Sequence, residues 1–404
     1  MKALICIPCL MTGGTEIQTL NTVSALVQGG NEVTVACYFE HTPYMVEHYQ
    51  KAGAKVVLFS PEGTRIGGYR ALLFLYKNLR QVVKEVHPDV THVQYMAPGA
   101  TIILLLWLMG VRNIIATSHT PADIYKNLRL IHFLQHHCLR AFTCITELAE
   151  RSFFDTSSLY TTETTLKKRN HFTIYNALPC TYNSDESNKE TLLNRVQNNA
   201  QNDKSQMQTS SLDLQRYSQY STTLNSTPTT LGVVSRLEKI KGMDLVIPAF
   251  AEVLKKHPQT RLLIVGDGSL RTTMEQQATT FGCADSITWT GRKQQEELPY
   301  WYRQMDIVLM PSRSEGFGLT AIEAMAQGCV VVASETGGLP EVVRHDICGL
   351  LHHTEDIKDM AEKINTLIDD KELYSRLRTQ ALCEVEKYGF ERYAKLINDL
   401  YIKL

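Results

Sequence analysis

The residues best placed for chemistry are Glu315, Gly316, Phe317, Gly318, Leu319 and Glu323, in the run Ser312-Arg313-Ser314-Glu315-Gly316-Phe317-Gly318-Leu319-Thr320-Ala321-Ile322-Glu323. This run follows a β-prone segment that ends near Met310-Pro311. Its two glycines let the backbone turn sharply and bring N–H groups close to a ligand. A helix starting near Leu319 presents unpaired amides and a positive dipole end, which suit an anion such as a diphosphate. Carboxylates beside such a site are repelled by phosphate, so Glu315 and Glu323 are expected to address hydroxyls. One precedes the helix and the other lies just inside it, so they reach two different parts of one ligand.

A second group of ligand-facing residues lies upstream. In Gly232-Val233-Val234-Ser235-Arg236-Leu237-Glu238-Lys239-Ile240-Lys241-Gly242, Arg236 can fork two phosphate oxygens and Lys241 adds a compact point charge. Strand-end turns recur at Val265-Gly266-Asp267-Gly268-Ser269, Trp289-Thr290-Gly291-Arg292 and Gly337-Gly338-Leu339-Pro340-Glu341. Each alone is a plain turn, but five such loops on one edge of a parallel sheet make a ligand mouth. Near the start of the chain, Met11-Thr12-Gly13-Gly14-Thr15-Glu16 opens a helix, and Gly14 permits close approach of a ligand. The G-x-G-x-x-G fingerprint is absent there, so a dinucleotide is not indicated. His119, in Ser118-His119-Thr120-Pro121, ends another strand on the ligand edge, where it either bonds a sugar or phosphate or serves as a satisfied structural histidine.

Two α/β blocks must position these residues. Ala3–Ile7, Glu32–Ala36, Lys55–Phe59, Val90–Val93 and Asn113–Thr117 alternate with helical stretches such as Glu16–Gln28 and Tyr69–Val86. The pattern restarts at Thr230–Val234 and continues through Arg261–Val265, Ser286–Trp289, Ile307–Leu309 and Val330–Ala333. Strand–helix–strand repetition implies parallel pairing with right-handed crossovers. The expected organisation is an N-terminal Rossmann-like domain (1–180), a polar insertion or linker (181–230), a second Rossmann-like domain (231–385) and a C-terminal helix that crosses back to the first (386–404). In residues 181–230, Asn, Gln, Ser and Thr supply 29 of 50 positions, too polar a stretch to offset its ordering entropy.

The bulk properties fit this plan. At 404 residues with 44% apolar and 21% charged side chains, the chain has a globular composition. A net charge of −1 argues against a nucleic-acid reader driven by an overall positive field. The start lacks the apolar stretch and cleavage site of a secretory signal, so the ten cysteines are read as reduced thiols of a cytoplasmic protein. Cys6-Ile7-Pro8-Cys9 ends a strand instead of opening a helix, unlike a thioredoxin-type motif. The apolar run Ile102–Met109 is too short to span a bilayer. His132, His136 and His137 are spaced as metal ligands on a helix, but with no acid or thiol set nearby they read as an exposed or acceptor-facing face. Lys126-Asn127-Leu128-Arg129-Leu130-Ile131-His132-Phe133-Leu134 mixes basic and apolar residues, a pattern suited to peripheral contact with the inner face of an anionic membrane or to a core-packed helix.

Taken together, R-L-x-x-x-K-G, V-G-D-G, P-S-x-x-E-G-F-G-L-x-x-x-E-A-M-A and G-G-L-P-E resemble the retaining glycosyltransferases of family 4, also called glycosyl transferases group 1. The Gly13-Gly14 and Ser118-His119-Thr120-Pro121 segments fit the same family, as does Tyr388-Gly389-Phe390-Glu391-Arg392-Tyr393, similar to the segment that crosses back to the N-terminal domain. The resemblance implies a GT-B α/β fold, with two doubly wound domains facing each other across a cleft. It implies that Arg236 and Lys241 bind the diphosphate of a UDP-sugar or GDP-sugar donor, assisted by the amides of Phe317, Gly318 and Leu319. Glu323 would hold the ribose, Glu315 the transferred sugar, and Gly14 would admit phosphate and acceptor. His119 would sit beside the reacting sugar, while Gly266 and the loop marked by Arg292 would complete the donor pocket. The implied activity is transfer of a hexosyl or N-acetylhexosaminyl group, with retention, to a glycan or lipid-linked acceptor in cell-surface polysaccharide synthesis. A non-catalytic sugar-nucleotide-binding component and a same-fold epimerase are the alternatives. No D-x-D motif is present, so metal-independent transfer with no cofactor is expected. One departure is Tyr175-Asn176-Ala177-Leu178-Pro179, where many relatives carry a glycine after the asparagine.

Overall fold

The structure, a computed structural model, describes residues 1–94, 96–125, 127–167, 169–179, 182 and 229–404. The insertion expected over 181–230, and Lys126 of the basic–apolar segment, lie almost wholly outside these residues. The chain divides into two compact units, Met1–Pro179 with Tyr388–Leu404, and Cys180–Lys387.

Unit 1 alternates β1 (Lys2–Ile7), α1 (Gly14–Gln28), β2 (Glu32–Cys37), α2 (Pro43–Lys51), β3 (Lys55–Leu58), α3 (Gly68–Val86), β4 (Val90–Gln94), α4 (Met96–Leu108), β5 (Ile114–Ser118), α5 (Leu128–His137), β6 (Ala141–Cys144), α6 (Glu147–Phe154) and β7 (His171–Thr173). The strands form one parallel sheet in the order β3-β2-β1-β4-β5-β6-β7. Helices cover both faces of such a sheet, which is why its strands read as near-continuous apolar runs. Right-handed crossovers put α3 to α6 on one face, because from β3 onward every crossover runs in the same direction, toward β7. Their inward residues, including Leu75 and Leu79, Ile102 and Leu106, Ile131 and Leu134, and Phe153, share one core with Leu4, Val93, Ala116 and Phe142 of the strands.

Unit 2 runs β8 (Thr230–Val234), α7 (Met243–Lys256), β9 (Arg261–Val265), α8 (Arg271–Thr280), β10 (Ile287–Gly291), α9 (Leu298–Tyr302), β11 (Ile307–Met310), α10 (Leu319–Ala326), β12 (Val330–Ser334), α11 (Leu339–Val342), β13 (Gly349–His352), α12 (Ile357–Asp369) and α13 (Lys371–Val385). Its six parallel strands are ordered β10-β9-β8-β11-β12-β13. Both units are therefore doubly wound α/β sheets. Strands β6, β7 and β13 escape the sequence reading because three or four residues give too little pattern to separate a strand from a loop.

The last helix, α14 (Phe390–Ile402), belongs to unit 1, where it packs along α1. Thr22 and Tyr393 share a hydroxyl–hydroxyl hydrogen bond of 2.8 Å, and the Asn398 amide donates to the Ala25 carbonyl at 2.8 Å. The segment 176–178 is held beside them: the Asn21 amide donates to the Ala177 carbonyl at 3.0 Å, and the Leu178 N–H to the Tyr388 carbonyl at 2.9 Å. Ala177 is fully buried and is not among the residues with positive φ, so this segment has no need of the glycine that relatives carry.

Candidate active site

All the strands of unit 2 run the same way, so the loops after β8, β9, β10, β11 and β12 emerge at one sheet edge. They carry Arg236 and Lys241, Gly266, Arg292, Glu315 to Leu319, and Gly337. The loop after β8 is fastened to the loop after β9. The Leu237 N–H donates to the Asp267 carbonyl at 3.0 Å, and the Leu270 N–H to the Leu237 carbonyl at 2.9 Å. Gly266 makes this possible. Its φ is +140°, and a Cβ built there would lie 1.8 Å from the Ser235 carbonyl oxygen. The ligand-facing role expected of Gly266 thus has a packing reason beside it: only a residue without a side chain lets the Arg236 loop lie this close. Gly266→Ala combines a clash with a φ that L-residues avoid and is expected to cost about 3 kcal/mol or more. Urea unfolding of the variant at unchanged m-value would measure it; a loss under 1 kcal/mol on that scale would contradict the packing account.

The helix start behaves as the sequence implies. Gly318 caps α10 at φ +100°, no side chain caps the first turn, and the leading amides of a helix have no intrahelical acceptor. Beside it, the Lys241 ammonium donates to Glu315 Oε2 at 2.7 Å, with both side chains part-buried. The sequence assigns phosphate to one and hydroxyls to the other; the structure joins them. An ammonium has three protons and this bond takes one, so Lys241 keeps donors for an anion while its charge holds Glu315 in place. Arg236 is exposed, and its charge helps keep the Glu238 carboxyl below its ordinary range, after the hydrogen bonds from Ser269. Arg313, inside the same motif, is committed elsewhere: it forms ion pairs with Asp244 and Glu355 and so ties the β11 loop to α7. Phe317 is buried, and Arg292 is exposed on the β10 loop.

Glu323 differs most from expectation. It is the fifth residue of α10, deeper than a position just inside the helix, and it is buried. Its carboxylate accepts from the Gln295 amide at 2.7 Å and from the Tyr302 hydroxyl at 2.9 Å. Burial pushes its pKa up to about 7, with those two hydrogen bonds opposing the rise. Each carboxylate oxygen retains a second acceptor site, so a diol can still be received. Neither partner was legible in the sequence. Gln295 sits in an unpatterned Gln-Gln-Glu-Glu stretch, and Tyr302 reads as an ordinary core aromatic.

Unit 1 supplies a second set of residues. Gly14 is exposed at the start of α1, after β1, where the strand order reverses between β2 and β4; that is the switch point at which doubly wound sheets bind ligands. His119 follows β5 on the same edge but is buried, and its Nε2 shares a 2.8 Å hydrogen bond with Gln94 Oε1. Desolvation pushes its pKa down to about 3, so the imidazole is neutral. Gln94, unflagged by the sequence, lines with His119, Gln18, Thr117 and Asn176 a cavity of about 10 Å³, room for one water. Among the described residues, the Nε2 atom of Gln94 has no hydrogen-bond partner, which is the polar demand such a water would meet. On α5, His132 Nε2 shares a 2.7 Å bond with the Phe153 carbonyl, the bond of a helix docked on α6.

Residues 218–382 match the model described as "Glycosyl transferases group 1", and residues 12–153 match "Glycosyltransferase Family 4". The chain belongs to this family, the group 1, family 4 type of glycosyltransferase, and its two parallel-sheet units have the GT-B fold. Among curated proteins it is similar to a D-inositol 3-phosphate glycosyltransferase of Corynebacterium jeikeium, 34% identical over 181 residues, covering 43% of each chain. One of the same name from Streptomyces bingchenggensis is 34% identical over 175 residues, 41% of this chain and 38% of that one. The chain thus spans about two fifths of the length of the curated relatives it matches. Among solved structures, Anabaena Alr3699/HepE in complex with UDP and glucose aligns over 100% of both chains with TM-score 0.73 at 18% identity. Sucrose-phosphate synthase from Thermosynechococcus elongatus aligns over 100% of this chain and 98% of that one, with TM-score 0.71 and 18% identity. At these identities the structures speak for the fold.

Proposed function

We propose that this chain is a retaining, sugar-nucleotide-dependent glycosyltransferase that uses a UDP-sugar and delivers a hexosyl group to a glycan, lipid-linked or inositol-phosphate acceptor. The observation that carries this reading is the Lys241–Glu315 pair at the uncapped start of α10, with Glu323 one turn deeper on the same helix. A cation, free helix-start amides and two acids are the group types that a diphosphate, a sugar and a ribose call for, which supports this reading. Arg236, Lys241 and the α10 amides neutralise the departing diphosphate, a stabilisation that grows as the bond to the sugar breaks. That set does for the leaving group what a divalent ion does elsewhere, and we assign no metal to the reaction. The diphosphate oxygen, on the face it leaves, takes the acceptor's proton. UDP is favoured over GDP because the aligned Anabaena structures hold UDP, and the inositol-phosphate option rests on the names of the curated relatives.

A thermal-shift panel of UDP, GDP, UDP-glucose and UDP-N-acetylglucosamine tests the donor. At about 100 times Kd a ligand contributes ~2.7 kcal/mol, a rise of roughly 5–10 °C for a unit of this size. A shift with GDP and none with UDP would overturn the base assignment. Release of free UDP only when an acceptor is present separates a transferase from a non-catalytic binder, and the anomeric configuration of the product decides retention.

A further inference from the structure

Half of the large apolar side chains exposed anywhere among the described residues lie on three neighbouring helices of unit 1. Helix α3 shows Tyr69 at 73%, Leu73 at 64%, and also Leu72 and Tyr76; α4 shows Leu104 and Leu108, the latter at 65%; α5 shows Leu128, Leu130 and Phe133. α3 packs on α4 and α4 on α5, all on one face of the sheet. This is an excess of apolar surface, since the inward faces of the same helices are already served by Leu75, Leu79, Ile102, Leu106, Ile131 and Leu134.

The charge on this face is predominantly positive. α3 carries exposed Arg70, Lys77, Arg80 and Lys84 against a single acid, Glu85. α5 carries exposed Arg129 and no acid, and the α4 sequence has no charged residue. The whole chain, by contrast, has a net charge of −1. At about 100° per residue, Tyr69, Leu72, Leu73 and Tyr76 share one sector of α3, Arg70, Lys77 and Lys84 fall in the sector beside it, and Arg80 follows the apolar stripe one turn beyond Tyr76. An apolar stripe edged by cations, on a helix that still seats its other side in a core, is the pattern that lies in a bilayer interface. No helix among the described residues is long and apolar enough to cross a membrane.

We infer that the outer face of α3, α4 and α5 docks on an anionic lipid bilayer, Tyr69, Leu72, Leu73, Tyr76 and Leu108 entering the headgroup boundary while Arg70, Lys77 and Arg80 meet the lipid charge. The surface extends well beyond the α5 segment that the sequence marks, and its centre is α3. It stands whatever sugar is transferred.

Vesicle sedimentation of the full chain tests this. The protein is expected to sediment with vesicles of equal parts phosphatidylcholine and phosphatidylglycerol, not with phosphatidylcholine alone, and to be released as salt is raised. Leu73→Glu, at an exposed site, should weaken binding on the order of tenfold. The double variant K77Q/R80Q should weaken it by a similar or larger factor through charge alone. Both should keep the parent circular dichroism and melting temperature. Three proteins that sediment alike would overturn the proposal, as would sedimentation with neither vesicle. So would a dimer that Leu73→Glu dissociates while lipid binding is absent, since a second copy would then be the occupant.

Discussion

Lys241→Ala is expected to lower kcat/KM for glycosyl transfer by about 10²–10³-fold, the usual cost of removing one preorganised donor from a site where negative charge develops. The effect should fall mainly on kcat, because charge on the leaving diphosphate is greater in the transition state than in the bound donor. Stability is the control. The pair that Lys241 makes with Glu315 is part-exposed, and such pairs contribute about 0–1 kcal/mol, so the melting temperature should move by only a few degrees. Lys241→Arg keeps the charge but not the compact shape, and should recover part of the rate. The measurement is steady-state UDP release on the parent and both variants. If Lys241→Ala transfers sugar at the parental rate, Lys241 is a tether for Glu315 and the diphosphate assignment fails.

Replacing Glu323 by Gln should change both donor affinity and the pH dependence of stability. Burial holds its pKa near 7, against ~4.3 in an unfolded chain. Below about pH 4 the group is protonated in both states and contributes nothing. Between about 4 and 7 the folded state holds the proton more tightly, so stability falls as pH rises. Above 7 the full cost of burying the charge is present, on the order of 3 kcal/mol. Glu323→Gln removes the ionisation, and its amide can still bond Tyr302 and a reoriented Gln295, so melting should lose that decline. Donor binding runs the other way. On the proposed reading, ribose hydroxyls donate to the carboxylate and favour its ionised form, so UDP should bind more tightly as pH rises through 7. Hydrogen bonds to a charged group are worth about 1.5–3 kcal/mol, so the variant should bind UDP roughly 10–100-fold more weakly, with no pH slope between 6 and 8. Calorimetric titration at several pH values reads this directly. A variant that kept the parental slope would move the titration, and the ribose contact, to another residue.

The loop between β11 and α10 was legible because its pattern is local. Glu315, Gly318 and the amides of Phe317 and Leu319 lie within five residues, where a turn and a helix start follow from residue type alone. Gly266 was found for a partial reason. A glycine after a strand announces an unusual turn, but what it must avoid, the Ser235 carbonyl, lies 31 residues away and has no local trace. His119 was located at a strand end, yet its burial and its bond to Gln94 depend on β4 and β5 lying side by side.

The sequence by itself determined two parallel α/β blocks and a glycine-led helix start at Leu319, because periodicity, glycines and caps act within a few residues. Only the tertiary structure decided which charges meet: Lys241 finds Glu315 across 74 positions, and Glu323 is held by Gln295 and Tyr302 from two other elements. It also decided protonation, since the pKa of Glu323 is raised and that of His119 lowered by water excluded through packing. Burial sums contributions from many distant residues, and no short stretch of sequence carries it.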